Sequence, residues 1–250
     1  MNCILYFYIL FHISIFELVR PFETVLVETS LGKILGRKEG PVVSFLGIPY
    51  AEPPIGKFRF RPSEPKEPWA PILLKAMNYS ADCLQSALYS VGDRGRKDED
   101  CLYLNIWYPA KSKDISPLPV LIWIYGGAFQ QGSSSKPEYI GDKLAARGVV
   151  VVSCNYRLGA LGFLVSTSDG LYGNYGLHDQ KLAMQWVQDH ISNFGGDPNR
   201  VTLFGESAGA MSIGLVYYNI HIHIHIHIFF LRLMNKFFYY YNDNDNDNFL

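Results

Sequence analysis

A chain of 250 residues that is 48% hydrophobic and 18% charged, with a formal net charge of −1, has enough apolar content to bury a sizeable core. The near-neutral balance and the lack of a basic patch exclude a nucleic-acid-binding or disordered chain and point to an ordinary globular α/β domain.

The first 20 residues open with Met1-Asn2-Cys3 and an apolar run from Ile4 to Phe16, which has signal-peptide length and is short for a bilayer span. The expectation is a secretory signal over 1–20. It has no charged start and no clear small-residue cleavage site, so an uncleaved anchor or a gene-model artefact stay open as alternatives. Strands are predicted over 25–28 and 42–45, and the Pro-rich stretch 49–71 reads as a loop excursion. Asn78-Tyr79-Ser80 is a glycosylation sequon. Cys83 and Cys101 flank a polar loop containing Gly92-Asp93-Arg94-Gly95-Arg96-Lys97.

Further strands are predicted over 102–108, 120–125, 149–155 and 201–204, alternating with helices over 138–147, closed by Gly148, over 177–193, and after residue 207. Cys154, inside an apolar run, reads as a buried free thiol. Leu182, Ala183, Trp186, Val187, Ile191 and Phe194 mark one packed face of the second helix, and its His178 and His190 read as structural rather than as bases. The run ending at Tyr125 leads into Gly126-Gly127-Ala128-Phe129, whose small residues either let backbone N–H groups face a ligand or simply make a tight turn.

Gly205-Glu206-Ser207-Ala208-Gly209 follows the apolar run Val201-Thr202-Leu203-Phe204. It reads as a serine nucleophile on a strand-to-helix turn, with glycines where neighbouring side chains would obstruct the bend. The pentapeptide alone arises by accident roughly one time in ten in a chain of this length. After Leu215 the character changes to His221-Ile222-His223-Ile224-His225-Ile226-His227-Ile228 and then to Asn242-Asp243-Asn244-Asp245-Asn246-Asp247-Asn248. Such strings are what translated tandem nucleotide repeats give. The competing reading is an adventitious metal site, with four histidines on one face of a strand.

Several longer blocks stand in register. They are Phe45-Leu46-Gly47-Ile48-Pro49-Tyr50-Ala51-Glu52-Pro53-Pro54, Glu99-Asp100-Cys101-Leu102-Tyr103-Leu104-Asn105-Ile106-Trp107 and Asn155-Tyr156-Arg157-Leu158-Gly159, followed by Gly173-Asn174-Tyr175-Gly176-Leu177-His178-Asp179-Gln180 and Phe194-Gly195-Gly196-Asp197-Pro198. Together with the 125–129 block and the nucleophile turn, they resemble the type-B carboxylesterase and cholinesterase family of the α/β-hydrolase fold, over about residues 24 to 215. With the signal read at 1–20, the resemblance implies the amino-terminal part of a carboxylesterase domain over 21–215 and a non-homologous tail over 216–250.

It implies further that Ser207 is the nucleophile and that Gly127, Ala128 and Ala208 supply oxyanion-hole N–H groups, donors worth about 3 kcal/mol each. The triad runs Ser, then Glu or Asp, then His. Its last two members are expected beyond the point where the blocks end, so this chain is expected to be a truncated product lacking them. Cys83 and Cys101 are expected to form a disulfide, contributing roughly 3 kcal/mol in the chain-entropy model, with Arg59 paired to Glu99 at the base of its loop. Cholinesterase-like members hold a choline cation over a Trp in that loop. Here the loop has Tyr89 and no Trp, which favours a general carboxylesterase acting on a small-molecule ester, and Glu206 carries little weight for a cation. No cofactor, metal or nucleic acid is expected, the oligomeric state is not legible, and the localisation implied is extracellular. The alternatives are a non-catalytic adhesion protein of the same fold, against which Ser207 argues, and an inactive fragment.

Overall fold

The long apolar runs become strands because both of their faces are covered. The computed structural model describes residues 22–86, 96–110, 117–219 and 226–231. The amino-terminal segment 1–20, Tyr89, positions 92–95 of the polar loop, His221, His223, His225 and the Asn-Asp repeat lie outside the described residues. In chain order the strands are β1 (Glu23–Thr29), β2 (Gly32–Glu39), β3 (Val42–Pro49), β4 (Leu74–Lys75), β5 (Asp82–Cys83), β6 (Lys97–Asp98), β7 (Tyr103–Pro109), β8 (Leu118–Ile124), β9 (Val150–Cys154), β10 (Val165–Ser166), β11 (Leu171–Tyr172), β12 (Gly196–Glu206) and β13 (Ile226–Leu231). The helices are α1 (Asp142–Ala145), α2 (Gly159–Phe163), α3 (Tyr175–His190) and α4 (Ala208–Asn219).

Among the described residues nine strands share one mixed sheet, ordered β1-β2-β3-β7-β9-β8-β12-β13, with β4 paired to β2. The strands from β1 through β7 to β9 pair antiparallel. Strands β9, β8, β12 and β13 run parallel, with Trp123 opposite Ser153 on one side and opposite Phe204 on the other. Parallel neighbours end together, so the segments leaving β8, β9 and β12 emerge side by side at one end of the sheet. That is where ligands bind in open α/β sheets.

Side-chain alternation divides the core. Phe45, Ile106, Ile122, Val152 and Leu203 pack with Ala183, Trp186 and Val187 of α3 and Ile213 of α4. On the other parity Val42, Leu46, Trp107 and Val151 pack against Ala145 of α1. The structure shortens the helix predicted over 138–147 to a 3-10 turn, Pro137–Tyr139, followed by α1. At Gly141, between them, a methyl group would come within 2.6 Å of the Trp107 ring and 2.8 Å of Val151, so the chain is pressed onto the sheet there. The helix predicted over 177–193 is α3, which passes into a 3-10 turn at Ile191–Phe194 and stops at Gly195 with φ +78. Strand β2 was not anticipated, because Lys, Arg and Gly alternate with its apolar residues. Among the described residues no helix is long and apolar enough to cross a membrane.

Candidate active site

Strand β12 ends at Glu206 and α4 begins at Ala208, so one residue makes the turn. That residue, Ser207, has φ +54 and is exposed. Holding a non-glycine residue there costs of order 1–3 kcal/mol and persists only where the surroundings enforce it. The surroundings do so through the two flanking glycines, neither of which needs an unusual φ. A methyl group on Gly209 would lie 2.1 Å from the Ile124 carbonyl oxygen, and one on Gly205 would lie 2.8 Å from the same atom. The first turn of α4 therefore crosses directly over the end of β8. The Ser207 carbonyl accepts from Met211 N–H at 3.0 Å, starting the helix.

The glycine loop after β8 reaches the same place. A methyl group on Gly126 would meet Glu206 O at 2.5 Å and Ser207 Cβ at 3.1 Å. Gly127, Ala128 and Phe129 follow with φ of +116, +55 and +61, and the Gly127 carbonyl accepts from Gln130 and Gln131 N–H groups at 3.0 and 3.1 Å. Among the described residues the N–H groups of Gly127, Ala128 and Ala208 have no hydrogen-bond acceptor, and Ser207 Oγ has no partner. Glu206 is held by the Tyr139 hydroxyl, which donates to Oε2 at 3.3 Å. Burial and then Glu206 push the Tyr139 hydroxyl up to about 12, and its ring packs on Trp123.

Side chains beneath the loops fix them. Tyr156 donates its hydroxyl to Tyr125 O at 2.8 Å, Tyr125 donates to Tyr156 O at 3.2 Å, and the two buried rings stack at 4.5 Å. Arg157 and Asp179, both buried, form a two-pronged ion pair at 2.7 and 2.8 Å, and Arg157 N–H adds a third bond. The motif blocks around 155–159 and 173–180 thus meet as a brace for the chain leaving β9. Asp82 accepts from the Ser133 and Ser135 hydroxyls, Asn155 accepts from Ser134 Oγ at 2.8 Å, and Gln85 pairs with the Gly132 backbone. No local signal marks Asp82, Gln85 or Tyr139, whose partners here lie 47 to 67 residues away.

Cys83 and Cys101 are bridged, with Cα atoms 5.0 Å apart. At the base of that loop Arg59 donates to both Glu99 carboxylate oxygens at 2.6 and 2.7 Å. Cys154 is a buried thiol, pushed up to about 12 by burial and by Asp179. His190 packs on Trp186, ring centroids 4.9 Å apart, and His178 lies exposed on α3, so neither meets Ser207 by a hydrogen bond. Among the described residues no three His, Cys, Asp or Glu side chains cluster as a metal site would need.

The carboxylesterase family model matches residues 23–227. The chain is 50% identical over 185 residues to a fumonisin B1 esterase of Sphingopyxis macrogoltabida, a match covering 71% of this chain and 34% of that protein. It is 48% identical over 205 residues to an acetylcholinesterase of Electrophorus electricus, covering 76% and 32%, and 49% identical over 195 residues to a para-nitrobenzyl esterase of Bacillus subtilis (strain 168), covering 75% and 39%. A solved thermophilic pNB esterase superposes with a TM-score of 0.69 at 49% identity, over 75% of this chain and 40% of that one. The chain spans about a third of the length of these curated relatives. By sequence and by its α/β-hydrolase fold, the chain belongs to the carboxylesterase family.

Proposed function

We propose that residues 21–215 carry the nucleophile and the oxyanion hole of a serine carboxylesterase. One observation carries the reading: an exposed serine in a left-handed turn lies against a glycine loop, with unpartnered N–H groups on both sides of it. In the reaction Ser207 Oγ attacks the ester carbonyl carbon, and the carbonyl oxygen takes up negative charge. The triad histidine takes the Ser207 hydroxyl proton as the Oγ–carbon bond forms, and the N–H groups of Gly127, Ala128 and Ala208 stabilise the oxyanion. The carbon–oxygen bond to the alcohol then breaks as the histidine returns that proton to the leaving oxygen, giving an acyl-serine that water hydrolyses. The triad histidine and acid are expected from sequence after the nucleophile helix, and neither His178 nor His190 stands in for them. The substrate is a small-molecule ester, with no metal or cofactor taking part. An extracellular location belongs to the same proposal and is supported by the 83–101 bridge and by the exposed sequon residue Asn78.

The test compares fluorophosphonate labelling and p-nitrophenyl ester turnover for the 250-residue chain and for a form in which a histidine and an acid follow residue 215. The longer form is expected to label and turn over, and to lose both in Ser207→Ala. The 250-residue chain is expected to label slowly and turn over little, because serine without a base is a feeble nucleophile. Turnover that survives Ser207→Ala would sink the serine mechanism.

A further inference from the structure

The glycine loop is held at its neck by a residue from the disulfide-closed segment. Gln85 lies two positions after Cys83, and its carboxamide bonds both ways to one backbone unit. Nε2 donates to Gly132 O at 2.9 Å, and Oε1 accepts from Gly132 N–H at 2.9 Å. Nε2 also donates to Cys83 O at 3.1 Å, which ties the same amide to the bridge. Gly132 is the point at which the loop closes on itself. Its φ is +122, and a methyl group there would come within 2.7 Å of Gly126 O and 2.5 Å of the Tyr125 ring. Gly126 in turn lies against Glu206 and Ser207. A rigid chain of contacts therefore runs from the Cys83 backbone through Gln85 to Gly132, Gly126 and the nucleophile turn.

We infer that Gln85 is a positioning residue, whose carboxamide latches the disulfide-closed segment to the glycine loop and so sets the backbone donors at 127 and 128 relative to Ser207. The inference rests on the oxyanion role proposed for those donors. A carboxamide suits the task because it alone among neutral side chains offers a donor and an acceptor side by side, matching the N–H and C=O of one residue. Asp82, one residue before the bridge, holds Ser133 and Ser135, so the exit limb is fixed at 132, 133 and 135.

Gln85→Met in the 250-residue chain tests the latch, since Met keeps the length of the side chain and removes both hydrogen-bonding groups. Amide hydrogen exchange is expected to accelerate about tenfold or more at 130–132, whose N–H groups are hydrogen-bonded, and to stay unchanged at 120–124 in β8. Fluorophosphonate labelling of Ser207, whose phosphoryl oxygen seeks the same donors, is expected to slow by about tenfold. Unchanged exchange at 130–132 would overturn the latch, as would faster exchange with an unaltered labelling rate. Where the parent chain labels too slowly to compare, the exchange arm decides the latch by itself, and a longer form that fails to label at Ser207 would sink the proposed function separately.

Discussion

Substituting Gly209 by alanine sets two effects of known size against each other. Within a helix the change favours folding by about 1 kcal/mol. Here, however, the new methyl group would sit 2.1 Å from Ile124 O and 2.8 Å from Tyr125 O. Both are backbone atoms at the end of a central strand, so no side chain can rotate away, and α4 must lift off β8 by about 1 Å. Overpacking of this kind costs about 1–3 kcal/mol, and the backbone contact puts it at the upper end of that range. The net expectation is a loss of about 2 kcal/mol, read as a lower midpoint at unchanged slope in urea unfolding followed by tryptophan fluorescence. Ser207 labelling should fall further than the fraction unfolded explains, because the helix that moves begins directly after Ser207. A Gly209→Ala chain as stable as the parent, or about 1 kcal/mol more stable, would refute the close crossing of α4 over β8.

Asp179→Asn leaves the buried Arg157 guanidinium without its countercharge, and the expected loss is about 3–5 kcal/mol by the same unfolding assay. Glu99→Gln at the exposed Arg59 pair should shift the midpoint far less, which makes it the control. Burial holds His190 below its ordinary value of 6.5, with Asp189 opposing. The unfolded chain then binds the proton more readily, so the stability this residue contributes is complete above pH 6.5 and is lost as pH falls through the folded value. His190→Gln is expected to flatten the fall of the urea midpoint between about pH 7.5 and 5, and an unchanged slope would count against the assignment.

The central strands were legible because residues 120–125, 149–155 and 201–204 are apolar without alternation, the mark of strands covered on both faces. The strand-to-helix turn at Ser207 was legible because close backbone crossing restricts positions 205 and 209 to glycine. Strand β2 escaped notice because Gly32-Lys33-Ile34-Leu35-Gly36-Arg37-Lys38-Glu39 buries only Gly32, Ile34 and Gly36 outright, and two of those three show no hydrophobic signal. The latch at Gln85 and the anchor at Asp82 were illegible for a different reason. Polar residues there announce nothing until the fold brings Gly132, Ser133 and Ser135 to them from about 50 residues away.

The crossing of α4 over β8 also bears on how the molecule is made. Eighty residues separate Gly126 from Glu206, and at about 5–20 residues per second a ribosome takes roughly 4–16 s to cover them. During that interval β9 can zip onto one side of β8, while the backbone groups on its other side, which later pair with 201–205, have no strand to receive them. The growing chain thus carries an open apolar edge until β12 arrives, and such an edge invites pairing with a neighbouring nascent chain. Synonymous changes that slow decoding between 155 and 200 should therefore lower the soluble yield while leaving the finished protein's sequence untouched.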